Sequence, residues 1–195
     1  MLRDRSGVSA IEFAVLAPIV LVIVTAAFEG FALHGAALAL ETGAAAAARL
    51  GSLTAPGAVD RNAALRAEIM AHLCPPGGAR CPLSDSPLPP GDDGLSSPLQ
   101  IRFHAYADPR NIGQPEPFAD LEPLNGTWDP GETFSDLNGD GRWNADMGAP
   151  DLGGSGDFVV YEVAMAEDVR HPLLRAALGS PLVRTATFVV RNEPY

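Results

Sequence analysis

Between residues 13 and 28 the chain carries no charge, only Phe, Ala, Val, Leu and Ile with one Pro and one Thr. A helix built from this stretch is apolar on every side, so it calls for lipid or a secretion channel around it. The run is shorter than the ~20 apolar residues of a comfortable membrane span, but Gly30-Phe31-Ala32-Leu33 extends it beyond Glu29, and carboxylates at its ends can lie near the interfaces. Arg3 and Arg5 precede the run, and no Lys or Arg follows until Arg49. The positive-inside rule then keeps the N-terminus cytoplasmic and exports the remainder, giving a single-pass membrane protein.

A cleavable secretory signal and a plain signal anchor share this pattern, yet both predict a segment that is apolar from its start. Glu12 departs from that expectation. A carboxylate costs ~2.5–3.5 kcal/mol at the bilayer centre and less near an interface, so one that is retained usually has a partner. Downstream, residues 36–41 and 44–48 are excellent helix formers, and one helix over residues 9–50 is expected to reach ~60 Å. Pro18 removes a hydrogen bond and Gly30, Gly35 and Gly43 weaken the helix locally, so a kink is expected. Its small residues permit close helix–helix approach, although they also simply make a favourable helix.

The exported part reads as one α+β domain, a small antiparallel sheet laid on helices. After a Gly/Ser/Pro break at 51–57, residues 59–73 suit a short amphipathic helix and 74–97 a Pro/Gly-rich loop. Residues 99–107 alternate, with Leu99, Ile101, Phe103 and Ala105 on one face, as a half-buried strand does. Further strands are expected at 158–166 and 182–191, with a short helix around 171–178 between them. Cys74 and Cys81 bracket Pro75-Pro76-Gly77-Gly78-Ala79-Arg80, a segment that favours a tight reversal and hence a disulfide, provided the chain leaves the reducing cytosol. A metal site is the rival, but no His or third Cys stands at zinc-ligand spacing.

Residues 108–157 have no regular pattern, and a loop of that length needs its own stabilising device. Within it, Asp136-Leu137-Asn138-Gly139-Asp140-Gly141-Arg142-Trp143-Asn144 matches the opening of a calcium loop, with oxygen ligands at alternate positions and a glycine at the sharp turn. Asp136, Asn138 and Asp140 would bind through side chains and Arg142 through its carbonyl. The twelfth position is Met147, not Glu, so a full EF-hand with flanking helices is not expected; Asp146 comes one residue early. The upstream Leu124-Asn125-Gly126-Thr127-Trp128-Asp129-Pro130-Gly131-Glu132 echoes the motif, and Asp129, Glu132 or Asn144 would complete a shared set. The competing reading is a solvated acidic turn with Asx-type hydrogen bonds.

The net charge of −11 argues against nucleic acid, which needs clustered cations. His34, His72, His104 and His171 stand far apart, none beside a Ser or Cys nucleophile, and no glycine-rich loop after a strand points to a nucleotide. Neither an enzyme nor a small-molecule substrate is expected.

The segment Gly7-Val8-Ser9-Ala10-Ile11-Glu12-Phe13 resembles the type IV prepilin motif, and the ending Arg191-Asn192-Glu193-Pro194-Tyr195 after a closing strand is similar to that of TadE-like proteins. The resemblance implies a pilin-like fold and a minor pilin or pseudopilin of the Tad pilus system, processed by a prepilin peptidase between Gly7 and Val8. It makes residues 1–7 a leader, 8–50 a transmembrane and assembly helix, and 51–195 the extracytoplasmic domain of an inner-membrane protein. Glu12, followed by Phe13, would pair with the α-amine of a neighbouring subunit, since a paired buried charge is far cheaper than a lone one and staggered subunits are therefore favoured. Other pilin subunits and the Tad assembly machinery are the implied partners. The alternatives are a signal-anchored, calcium-dependent binding protein or adhesin outside any pilus, and a secretion-system pseudopilin, which shares the N-terminal motif.

Overall fold

The computed structural model describes residues 6–53, 61–77, 81–90 and 97–193. Helix α1, Ser6–Leu53, is unbroken over 48 residues and continues through Pro18. It is three residues longer at each end than the composition led one to expect, the first part of the anticipated break at 51–57 being helical. Helix α2 spans Arg61–Leu73, strand β1 Leu99–Tyr106, strand β2 Phe158–Glu167, helix α3 Pro172–Leu178 and strand β3 Leu182–Arg191. The three strands form one antiparallel sheet in the order β1-β2-β3. A long apolar helix with a small antiparallel sheet is the α+β layout the sequence indicates.

The seam of α1 follows the helical period. Leu33, Ala36, Leu40, Ala44 and Ala47 are buried, at spacings of three and four that place them on one side. Leu65, Ile69 and Leu73 line the matching side of α2. Gly43 sits where the two helices come closest: an added Cβ would lie 3.1 Å from the His72 Cβ and 3.3 Å from the Ile69 backbone. The small residues of this part of α1 therefore serve packing within the chain. Against the helices, β2 presents Val159, Tyr161, Val163 and Met165, all fully buried. Tyr161 stacks on Phe188 of β3, ring centres 4.9 Å apart, and tilts against Phe103 of β1. Each such side chain contributes ~1.5–3 kcal/mol by leaving water.

Two polar residues tie the far end of the domain together. Arg61, buried at the start of α2, donates from Nη2 to the Gly51 carbonyl at 2.6 Å and to Asn192 Oδ1 at 2.8 Å. Asn192 Nδ2 in turn donates to the carbonyls of Leu152 and Gly154. A side-chain network thus clamps the last turns of α1, the end of β3 and the exit of the 108–157 segment. At the opposite end Cys74 and Cys81 are joined, Cα atoms 4.5 Å apart, below a bridge between Leu83 and Glu167. Helix α2, with Arg61 at its start and Cys74 just past its end, spans the ~20 Å between them.

Candidate functional site

Two regions gather the residues singled out by the sequence. The first is the front of α1. Gly7 and Val8 lie in its first turn, while residues 1–5, with Arg3 and Arg5, are outside the described residues, as is the side chain of Val8. Glu12 and Phe13 are exposed, and beyond them Val15, Leu16, Ile19, Val20 and Ile23 project away from the domain. This front half is long and apolar enough to cross a membrane once. Its lower limit is Glu12, and at the other limit Glu29 is not left alone: its Oε1 accepts the Arg170 backbone N–H at 2.8 Å.

The second region is the insert at 108–157. Its backbone folds on itself through an antiparallel bridge between Phe118 and Phe134. Trp128 and Trp143 stack with centres 5.2 Å apart and planes within 7°. Phe118 meets Trp143 edge-on, and Phe134 meets Trp128 the same way. Four aromatic rings therefore make the small core that a patternless segment of this length requires, in two equivalent halves.

The halves are each held by one glutamate. Glu116, completely buried, accepts the Leu137 N–H at 2.7 Å through Oε1 and the Asn144 N–H at 3.0 Å through Oε2. Glu132 treats the other half alike, accepting from Leu121 at 2.7 Å and Asp129 at 2.9 Å. Leu121 corresponds to Leu137 and Asp129 to Asn144, so the echo visible in the sequence is a pseudo-twofold repeat in space. Glu116, two residues before Phe118 as Glu132 is before Phe134, escaped the sequence reading; the shared Glu-x-Phe-x-Asp-Leu spacing was the signal for it.

The calcium candidates divide between these halves. Asp136 accepts the N–H groups of Gly139 and Gly141, Asn138 Oδ1 that of Asp140, and Asp140 Oδ1 that of Arg142, in one turn with Gly139 and Gly141 at positive φ. Asn144 Nδ2 donates to Asp140 Oδ2 and to the Arg142 carbonyl. The acids expected to complete the set point elsewhere. Asp129 and Glu132 serve the upstream turn, and Asp146 accepts from the Tyr106 hydroxyl at 2.8 Å. Burial, then that carboxylate, push the Tyr106 phenol well above its ordinary pKa, so it stays a donor. Gly148 is required beside it, since a Cβ there would come within 2.6 Å of the Tyr106 ring. Among the described residues, no three His, Cys, Asp or Glu converge as metal ligands. The turn around Asp136 offers four ligand groups, so with each bound through one oxygen solvent would have to supply the rest of the six to eight that calcium takes.

No protein-family model matches the chain, nor does any curated protein or solved structure.

Proposed function

We propose that the chain is a structural or assembly subunit of a Tad-type type IV pilus system, a minor pilin or pseudopilin with no catalytic role. One observation carries this reading: Glu12 stands at the head of an uncharged helical surface that the rest of the chain leaves bare. A bare apolar helix is served by lipid alone, but a carboxylate at its start gains from a cationic partner arriving with each new subunit. The α-amine freed by cleavage after Gly7 is such a partner, and the back half of α1 carries a pilin-like exported domain rigidly on it. Glu12→Ala is expected to leave membrane insertion intact and to abolish entry into pili or complexes. Fractionation and co-purification, in cells lacking the wild-type copy, measure both. Normal piliation by this variant removes the assigned role and favours a signal-anchored binding protein instead.

Calcium binding in the insert is a second reading, supported by the Asp136–Asn138–Asp140–Arg142 turn. Extracellular calcium modules have Kd values of ~10⁻⁴–10⁻³ M, so ~1 mM calcium stabilises the insert by at most ~1.4 kcal/mol. Both tryptophans of the chain lie in the insert, so tryptophan fluorescence during a thermal melt reports on it alone. The expected result is a modest upward shift with calcium, little with magnesium, and none in the Asp136→Ala/Asp140→Ala variant. An unchanged melt at several times the weakest Kd leaves a plain acidic turn.

A further inference from the structure

We propose that α3 is a second point of attachment to the bilayer, resting its leucines on the outer lipid interface beside the spanning helix while the subunit resides in the membrane. The proposal rests on the spanning reading of α1 and concerns a separate segment, far along the chain.

Position is the first argument. Thr25 Oγ1 lies 3.2 Å from His171 Nε2, and Glu29 holds the Arg170 N–H, so the residues leading into α3 are fastened to α1 at 25–29. A hydrocarbon core of ~30 Å takes ~20 helical residues, which, counted from Glu12, ends near residue 32. Glu29 then lies about 4.5 Å and Thr25 about 10 Å inside the outer boundary, within the depth that an interfacial helix buries its apolar face. An element fixed beside them is held at that depth.

Its surface fits that depth. Leu173 is 59% exposed, Leu178 51% and Val183, at the start of β3, 51%. On α1 at the same level Phe28 and Phe31 are 70% and 75% exposed, so bare apolar surface lies on both elements at that depth.

Charge is distributed to match. Residues 169–192 contain no Asp or Glu and four Arg; of the two acids just before them, Glu167 is buried and paired with Arg184, and Asp168 accepts from the Ser84 hydroxyl. Arg170 and Arg175 are exposed next to the leucines. Eleven of the acids lie in 108–157, at the end of the domain away from α3. The ten-residue β2 sets the insert about 30 Å from α3, several times the ~8 Å screening length, so the insert does not repel an anionic lipid surface there.

The test uses the full chain in vesicles of phosphatidylcholine, with or without phosphatidylglycerol. The two native cysteines are disulfide-bonded, so a nitroxide can be placed by Leu173→Cys or Leu178→Cys, with Val20→Cys as the lipid reference and Leu124→Cys in the insert as the water reference. Labels at 173 and 178 are expected to behave like the one at 20, accessible to oxygen and protected from a water-soluble nickel chelate. With phosphatidylglycerol present, Arg170→Gln and Arg175→Gln should each lower the ratio of lipid-facing to water-facing label about fivefold, the equivalent of about 1 kcal/mol per cation at an anionic surface. No such loss overturns the headgroup part. Water-like labels at 173 and 178 with a lipid-like label at 20 overturn the attachment and leave the span standing. A water-like label at 20 sinks the span and the attachment together. Shielding of 173 and 178 from both reagents means a second copy or another protein covers α3, and overturns contact with lipid.

Discussion

If the chain is processed after Gly7, as proposed above, replacing Gly7 with Arg is expected to stop that maturation completely, leaving every copy of the chain with residues 1–7 attached. The Gly7–Val8 bond lies in the first turn of α1, where the N–H groups have no intrahelical acceptors and opening the backbone costs little. Glycine lowers that cost further, because it is ~1 kcal/mol poorer than alanine in a helix, and it lets a peptidase approach the chain closely. An arginine removes both advantages and extends the basic residues at the N-terminus into the proposed cleavage site. Gly7→Ala, with one methyl group added, should be processed slowly but correctly. Mass spectrometry of the N-terminal peptide reads the outcome directly. A wild-type chain beginning near residue 28, not at Val8, would mean a conventional signal peptide. That cut would also detach Thr25 from His171 and remove the apolar half of α1, a result incompatible with the pilus reading.

Periodicity made most of the fold legible. Each strand was expected within a residue or two of where it lies, and β3 occupies the expected residues, because alternation survives where one sheet face is covered and the other is not. The length of α1 was also readable, since nothing between residues 10 and 50 favours another conformation strongly enough to end it. Less readable was what the small residues do. Gly43 looked like a local weakness or an interface for other subunits, and it is where α2 crosses α1. Arg61 and Asn192 gave no sequence signal, because a buried Arg–Asn clamp depends on three distant segments meeting. Asn192 belongs to the Arg-Asn-Glu-Pro ending on which the family resemblance leans; its hydrogen bonds give that residue a physical reason, while Pro194 and Tyr195 lie outside the described residues. In the insert the Asp/Asn/Gly pattern drew attention to possible ligands and away from Glu116. The carboxylates expected to gather around one ion are instead spread over two half-turns, most of them bonded to backbone N–H groups.

Glu116→Ala should therefore unfold the insert while sparing the rest of the domain. The side chain is completely buried and accepts two well-made backbone hydrogen bonds from the opposite half of the repeat. Hydrogen bonds to a charged group are worth ~1.5–3 kcal/mol each, and alanine leaves both backbone donors without that acceptor, so the loss is on the order of 3–5 kcal/mol. That is a large part of the ~5–15 kcal/mol that stabilises an ordinary domain. The insert has little to set against it, since its core is four rings held in place by those same turns. Amides of Leu137 and Asn144 should lose protection from hydrogen exchange, and the near-ultraviolet circular dichroism of the Trp128–Trp143 stack should collapse. Amides in the middle of β2 and β3 should stay protected, because the buried Val159, Tyr161, Val163 and Met165 pack in the core with α1 and α2, away from Glu116. Glu116→Gln keeps one acceptor oxygen and should lose roughly half as much, on the same scale per bond. Glu132→Ala removes the equivalent pair of bonds from a half-buried position, where water can partly replace the carboxylate, and should cost less than Glu116→Ala although its geometry is the same. Equal losses at the two glutamates would show that burial is not what sets the cost, and a Glu116→Ala insert with its exciton signal intact would show that the rings, not the carboxylates, hold the repeat together.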